Sequence, residues 1–139
     1  MEIEIAIAEH PIDGFPALPV AFAGQAGAVV EFTGRVRGEE DGEAIAALEY
    51  EAYSPMAGSR MREILEAIGE THPCLHVSVV HRVGVVAVGE AAIRVVAAAR
   101  HRAEAFAMVT QFMDRLKEDV PIWKSRALPA AEGESARTR

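Results

Sequence analysis

The amino-acid sequence predicts an α+β domain with a mainly antiparallel sheet and two main helices. Three observations carry this reading. Apolar and acidic residues alternate with period two in the opening MEIEIAIAEH, two later stretches repeat apolar residues at helical spacing, and β-rich runs separate them without a regular strand–helix–strand alternation.

Each element follows from its residues. In MEIEIAIAEH, Ile3, Ile5 and Ile7 share one face of a half-buried strand. PIDGFPALPV, with three prolines, reads as loop. GAVVEFTGRV, Gly27 to Val36, is β-branched and apolar enough for a second strand, and EEDGE after Arg37 is an acidic, turn-forming loop. AIAALEYEAY gives a third strand, with Leu48, Tyr50 and Ala52 alternating against Glu49 and Glu51. SPMAGSRMREILEAIGETHP predicts a helix with Ser54 as cap and Pro55 at its first position. Its apolar stripe is Met61, Ile64, Leu65 and Ile68, and it stops at Gly69 or shortly after. LHVSVVHRVG, VVAVGE and AAIRVVAAA return to strand, with Gly84 and Gly89 at hairpin-like positions. The second helix follows in RHRAEAFAMVTQFMDRLKED, on a stripe of Phe106, Val109, Phe112, Met113 and Leu116, and Pro121 ends it. One domain over residues 1–126 and a polar, mobile tail over 127–139 complete the expected organisation.

Composition excludes several function classes. The 139 residues are 50% apolar, enough for a single buried core. A formal charge of −7, with 21 acids against 14 lysines and arginines, argues against a general nucleic-acid or anionic-membrane surface, so any anion site is local. The single cysteine, Cys74, rules out an internal disulfide and a cysteine metal cluster and reads as an inert, part-buried thiol. The N-terminus has no signal-peptide pattern and no apolar run reaches ~18 residues, so the expectation is a cytoplasmic protein without a membrane span. His72 and His76 flank Pro73 and Cys74 without metal-site spacing, and no metal or cofactor is expected. His81-Arg82, inside a strand, reads as structural.

The cations that remain point to chemistry. Arg100, His101 and Arg102 crowd a helix start, where free N–H groups and the helix dipole favour an anion. Two readings fit them equally: a phosphate or carboxylate cradle, or a solvated turn paired with acids such as Glu104. Arg37 ends a strand at the lip of a loop, Arg35 shares its side-chain parity, and Gly34 beside them offers a bulge or a close backbone approach. Lys117 sits in a last helical turn, where the dipole alone explains it. Lys124 follows Pro121, Ile122 and the only tryptophan, Trp123, in an extended segment. Pinned there, its ammonium is expected to lose solvation and shift its pKa down, as suits a general acid/base or nucleophile. His101 and Lys117 are sixteen residues apart on one helix, roughly 24 Å. No small ligand reaches both in one chain, so a site using both is completed by a second copy.

Five pieces in order, GAVVEFTGRVRG, LEYEAYSPMA, HRVGVVAVGE, HRAEAF and LKEDVPIWK, resemble the MoaE family, the catalytic large subunits of molybdopterin synthase, from about residue 3 to 126. The resemblance implies an α/β hammerhead-type fold and a homodimer that forms a heterotetramer with a small ubiquitin-like sulfur-carrier subunit at each end. It implies that the partner's thiocarboxylated C-terminal glycine enters the large subunit's pocket and delivers sulfur to cyclic pyranopterin monophosphate, giving the molybdopterin dithiolene. On this resemblance the family's two active-site lysines fall on Lys117 and Lys124, its strand-end arginine on Arg37, its pocket-lining apolar residues on Phe32 and Met113, and its helix-start pair, contributed by the other subunit, on His101 and Arg102. The chain departs from the family where Ser125-Arg126 stands in place of an acid two residues after the second lysine, and in a tail without the usual tryptophan, whose pocket arginine corresponds to Arg137 or Arg139. A non-catalytic member acting as a scaffold, or a dimeric small-anion-binding domain, is the alternative expectation.

Overall fold

The computed structural model describes residues 1–13 and 22–130, so most of the proline-rich loop and the tail arginines lie outside the described residues. The elements run β1 (Glu2–Ala8), β2 (Ala28–Arg35), β3 (Glu39–Glu40), β4 (Glu43–Ala52), α1 (Met56–Thr71), β5 (His76–Arg82), β6 (Gly84–Ala87), β7 (Ala91–Ala99), α2 (Arg102–Asp119) and β8 (Ile122–Pro129). They build two sheets. The first has strand order β1-β5-β7-β2, and the second has order β3-β4-β6 with β8 also paired to β4. All pairings are antiparallel except β1 with β5.

Pattern explains the layering. Ile3, Ile5 and Ile7 turn one face of β1 to the main core, while β5 and β7 are buried on both faces; β7 is a near-continuous apolar run, and β5 buries His76, Ser78, His81 and Arg82 among its valines. α1 and α2 lie on the first sheet. The α1 stripe of Met61, Ile64, Leu65 and Ile68 is 3% exposed or less, and α2 buries Ala105, Met108, Val109, Phe112 and Leu116 beside them. Alanines at β7 positions 97 and 99, both fully buried, keep that strand thin under the helices. A second, smaller core of Val36, Ile45, Leu48, Val86 and Ala92 holds the other sheet.

Several expectations are corrected. Ser54 does not cap α1: the cap position is Pro55, with no side-chain hydrogen bond. Phe106 leaves the α2 stripe and is 57% exposed, because Ala105 and Met108 take the inward positions on either side of it. Gly84 and Gly89 both take positive φ (85° and 88°), yet neither closes a hairpin between β5, β6 and β7. Gly84 instead starts β6 opposite Tyr50, so the chain changes sheets there. The acidic EEDGE loop is a tight hairpin: Asp41 and Gly42 have φ 52° and 82°, the left-handed pair that a two-residue turn requires, and β3 pairs back on β4. β8 runs to Pro129, with Leu128 opposite Ala47, so the first three residues assigned to the tail form strand. Among the described residues, no helix is long and apolar enough to cross a membrane.

Candidate active site

The sequence-predicted residues fall in four places. Arg37 lies just past the end of β2, exposed, and its guanidinium has no partner among the described residues. The strand reaches it through a register shift between Gly34 and Arg35. The bulge suggested at Gly34 is there, and what a Cβ would meet is a side chain, Ile93 Cγ2 at 2.9 Å, rather than backbone. Arg35 shares the exposure of Arg37 but not its freedom: it donates to the Gly89 carbonyl at 2.8 Å. The buried Val36 between them keeps both arginines outward.

Phe32 and Met113 sit half-buried at the rim of the main core, one on β2 and the other on α2. Met113 and Lys117 are one helical turn apart and share a face of α2. Lys117 is exposed in the last turn, with no partner among the described residues. His101 caps the other end of α2 in extended conformation (φ −132°, ψ 151°) and makes no side-chain cap bond. The side chains of Arg100, His101 and Arg102 are exposed and unpartnered among the described residues, and the pairing with Glu104 is not made. The helix start is held from below, because Gly27 donates to the Ala99 carbonyl and an added Cβ at Gly27 would stand 2.3 Å from the Arg100 carbonyl oxygen. The whole of α2 therefore separates His101 and Arg102 from Lys117.

Lys124 is not desolvated in the way its sequence suggests. Ile122 packs on the core and anchors β8, whereas Trp123 alternates outward and is 47% exposed. The Lys124 side chain is 50% exposed, and its Nζ lies 3.0 Å from Glu40 Oε2. Arg126, standing where an acid was expected, pairs with Glu49 at 2.8 Å. Lys124 thus keeps a carboxylate partner from a different strand. Opposite Lys124 on β4 lies Tyr50, whose phenol is pushed up by burial, with Lys124 pulling it back down and Glu40 adding to the rise. Glu40 and Tyr50 were not singled out from the sequence; the signal available was the Asp41-Gly42 turn, which folds Glu40 back along β4 towards β8.

Two further titratable groups, Cys74 and His81, are structural. Burial, and secondarily Glu104, pushes the Cys74 thiol up to about 11, and its Sγ–H faces the His72 and Glu104 carbonyls. His81 is buried, donates from Nδ1 to the Arg82 carbonyl at 2.7 Å, and stands edge-on to Tyr50 with ring centroids 5.4 Å apart. Burial lowers its pKa and keeps it neutral.

Fold and free cations together define a class: a two-sheet α+β domain with exposed basic groups at a strand end and at both ends of one helix. Comparison with known proteins gives that class a family. The model of the family described as "MoaE protein" matches residues 8–119. The human molybdopterin synthase catalytic subunit is 42% identical over 98 residues, which cover 70% of this chain and 52% of that protein. The crystal structure of molybdopterin synthase from Staphylococcus aureus superposes with TM-score 0.72 at 32% identity, over 88% of this chain and 93% of that one. A complex of subunits 1 and 2 of molybdopterin-converting factor from Helicobacter pylori shares the fold at 21% identity (TM-score 0.69, over 94% of this chain and 92% of that one). The chain belongs to the MoaE family. It spans about half the length of the human relative.

Proposed function

We propose that the protein is the catalytic subunit of a cytoplasmic molybdopterin synthase. It takes sulfur from the thiocarboxylated C-terminal glycine of a small ubiquitin-like subunit and delivers it to cyclic pyranopterin monophosphate. The observation that carries this reading is the split cation set. Arg37, Lys117, His101 and Arg102 are exposed and unpartnered among the described residues of a chain whose formal charge is −7. Basic groups left without carboxylates in an acidic protein suit an anionic ligand.

Since His101 and Arg102 stand at the opposite end of α2 from Lys117, the complete site takes its helix-start pair from a second copy in a homodimer, and a small subunit docks on each copy. A heterotetramer follows. Arg37, His101 and Arg102 hold the substrate phosphate and the partner's terminal carboxyl group, with Phe32 and Met113 as the apolar wall. Lys117 and Lys124 transfer protons and stabilise charge as the cyclic phosphate opens and sulfur adds. Glu40 holds the Lys124 ammonium in place. The two-subunit complex of the same fold from Helicobacter pylori is in keeping with a second, different subunit. The motive for a non-catalytic scaffold weakens, because Arg126 is occupied by Glu49 and leaves the Lys124–Glu40 pair intact.

The test is reconstitution: the purified chain, a thiocarboxylated small subunit and the cyclic precursor should yield molybdopterin. No product with a partner known to be competent sinks the proposal. Lys117→Ala should abolish turnover and leave the dimer intact; retained activity removes Lys117 from its role.

A further inference from the structure

A second cluster of chemical groups lies away from the cations, between the first strand and β5. These strands run parallel, with Glu2 opposite His76 and Glu4 opposite Ser78. Because Ile3 and Ile5 face the core, the four polar residues share the other face of the sheet. His76 is 3% exposed, with the Phe22 ring 5.7 Å from its own, while Glu2 and Glu4 are exposed. One ligand atom from each of Glu2, Glu4 and His76 lies within 4.8 Å of the others.

The hydrogen bonds assign the imidazole tautomer. Ser78 has a single hydroxyl proton and donates it to Glu4 Oε2 at 3.4 Å. Its 3.4 Å contact with His76 Nε2 then requires Nε2–H to be the donor. Nδ1 is left as a bare lone pair, buried and without a hydrogen bond, 3.5 Å from Glu2 Oε1. That contact counts as an ion pair only if the ring gains a second proton, and it lacks hydrogen-bond geometry even then. Two electron-rich atoms face each other where a cation belongs.

We propose that Glu2, Glu4 and His76 Nδ1 bind a divalent transition-metal ion of the Zn2+ type, which clamps the first strand to β5. One imidazole nitrogen with two carboxylate oxygens suits such an ion, with water completing the coordination. Metal–ligand bonds of about 2.0–2.2 Å put neighbouring ligand atoms roughly 3–3.5 Å apart. The Nδ1–Oε1 separation is already at that spacing, and Glu4, exposed, has the carboxylate oxygen not engaged by Ser78 to close the rest. Ser78 on the Nε2–H supplies the outer hydrogen bond that orients a metal-bound imidazole. The site is independent of the sulfur chemistry proposed above.

The experiment titrates Zn2+ into the untagged, chelator-treated 139-residue chain, by calorimetry and by 15N NMR of the histidine rings. One equivalent should bind, with the His76 Nδ1 resonance moving to a metal-bound position while Nε2 keeps its proton. The double variant Glu2→Gln/Glu4→Gln alters only exposed side chains, and circular dichroism should report an unchanged fold. Its Kd for Zn2+ should rise by at least about tenfold. Mg2+, which avoids imidazole, should not saturate the site. The proposal is overturned if Zn2+ binds the double variant equally well, if it binds at His10, His72 or His101 with His76 unmoved, or if Mg2+ matches Zn2+. A ring found doubly protonated and indifferent to metal overturns it too, since a proton alone would then fill the gap.

Discussion

Lys124 Nζ and Glu40 Oε2 lie 3.0 Å apart, joining residues 84 positions distant in the chain. β3 and β8 both run along β4, and that shared neighbour is what brings the pair together. Both groups are partly solvated, so the pair contributes at most about 1 kcal/mol to stability and acts mainly by holding the ammonium in one place. Glu40→Gln should therefore leave the urea midpoint nearly unchanged while lowering kcat/KM for molybdopterin formation by about tenfold. Unchanged kinetics would remove Glu40 from the site.

His81 should set the acid edge of stability. The folded chain buries the neutral ring, and burial holds its pKa below the ordinary value of 6.5. An unfolded chain takes up the proton first as pH falls, so stability is complete above about 6.5 and declines from there down towards the folded value. The slope from one proton stays below about 1.4 kcal/mol per pH unit. Glu90, held low chiefly by its hydrogen bond from Arg82, belongs to a separate window below its ordinary 4.5. His81→Phe keeps a ring beside Tyr50 and removes the titration, so urea midpoints measured between pH 7.5 and 5.5 should flatten in this variant. An unflattened profile would assign the acid sensitivity to another group.

Gly27→Ala tests the platform under the α2 start. The new methyl would meet backbone, the Arg100 carbonyl oxygen at 2.3 Å, and no flexible side chain can give way. The strand end or the helix start must shift, at a cost of about 1–3 kcal/mol. Thermal unfolding should report the loss, and substrate binding should weaken along with it because His101 and Arg102 follow directly. A drop in Tm with binding intact would show that the helix start tolerates the shift.

Much of the architecture was legible because it is local. The isoleucine alternation of β1, the Met61–Ile68 stripe and the Pro121 stop each follow from neighbours within a turn or a strand. What was not legible depends on long-range pairing. Nothing near Gly84 says that β6 will leave β5 for Tyr50 on β4. Nothing near Lys124 names Glu40, and the adjacent tryptophan suggested burial where alternation turns it outward. Ser54 has the right chemistry for a cap, but the chain enters the helix one residue later. The cations themselves were visible, because each stands where a sequence signal marks an element's end: Arg37 after a strand, His101 and Arg102 before a helix, Lys117 before a proline.

A shared site makes a demand that a self-contained one does not. On the proposed two-copy pocket, Lys117→Ala and Arg102→Ala should each abolish molybdopterin formation, since every pocket in either homodimer would lack one required group. Mixed dimers differ. Pairing the two variants places both defects in one pocket and leaves the other with Lys117 from one chain and Arg102 from its partner, both native. Random reassortment makes half the dimers mixed, each with one of two pockets intact, so activity should recover to about one quarter of the native value. The readout is molybdopterin formed before and after the variants are unfolded and refolded together. Recovery requires that the residues at the two ends of α2 meet only across the dimer; if the mixture stays inactive while size-exclusion and tagged pull-down show that mixed dimers have formed, both groups act within one chain and the two-copy pocket is wrong.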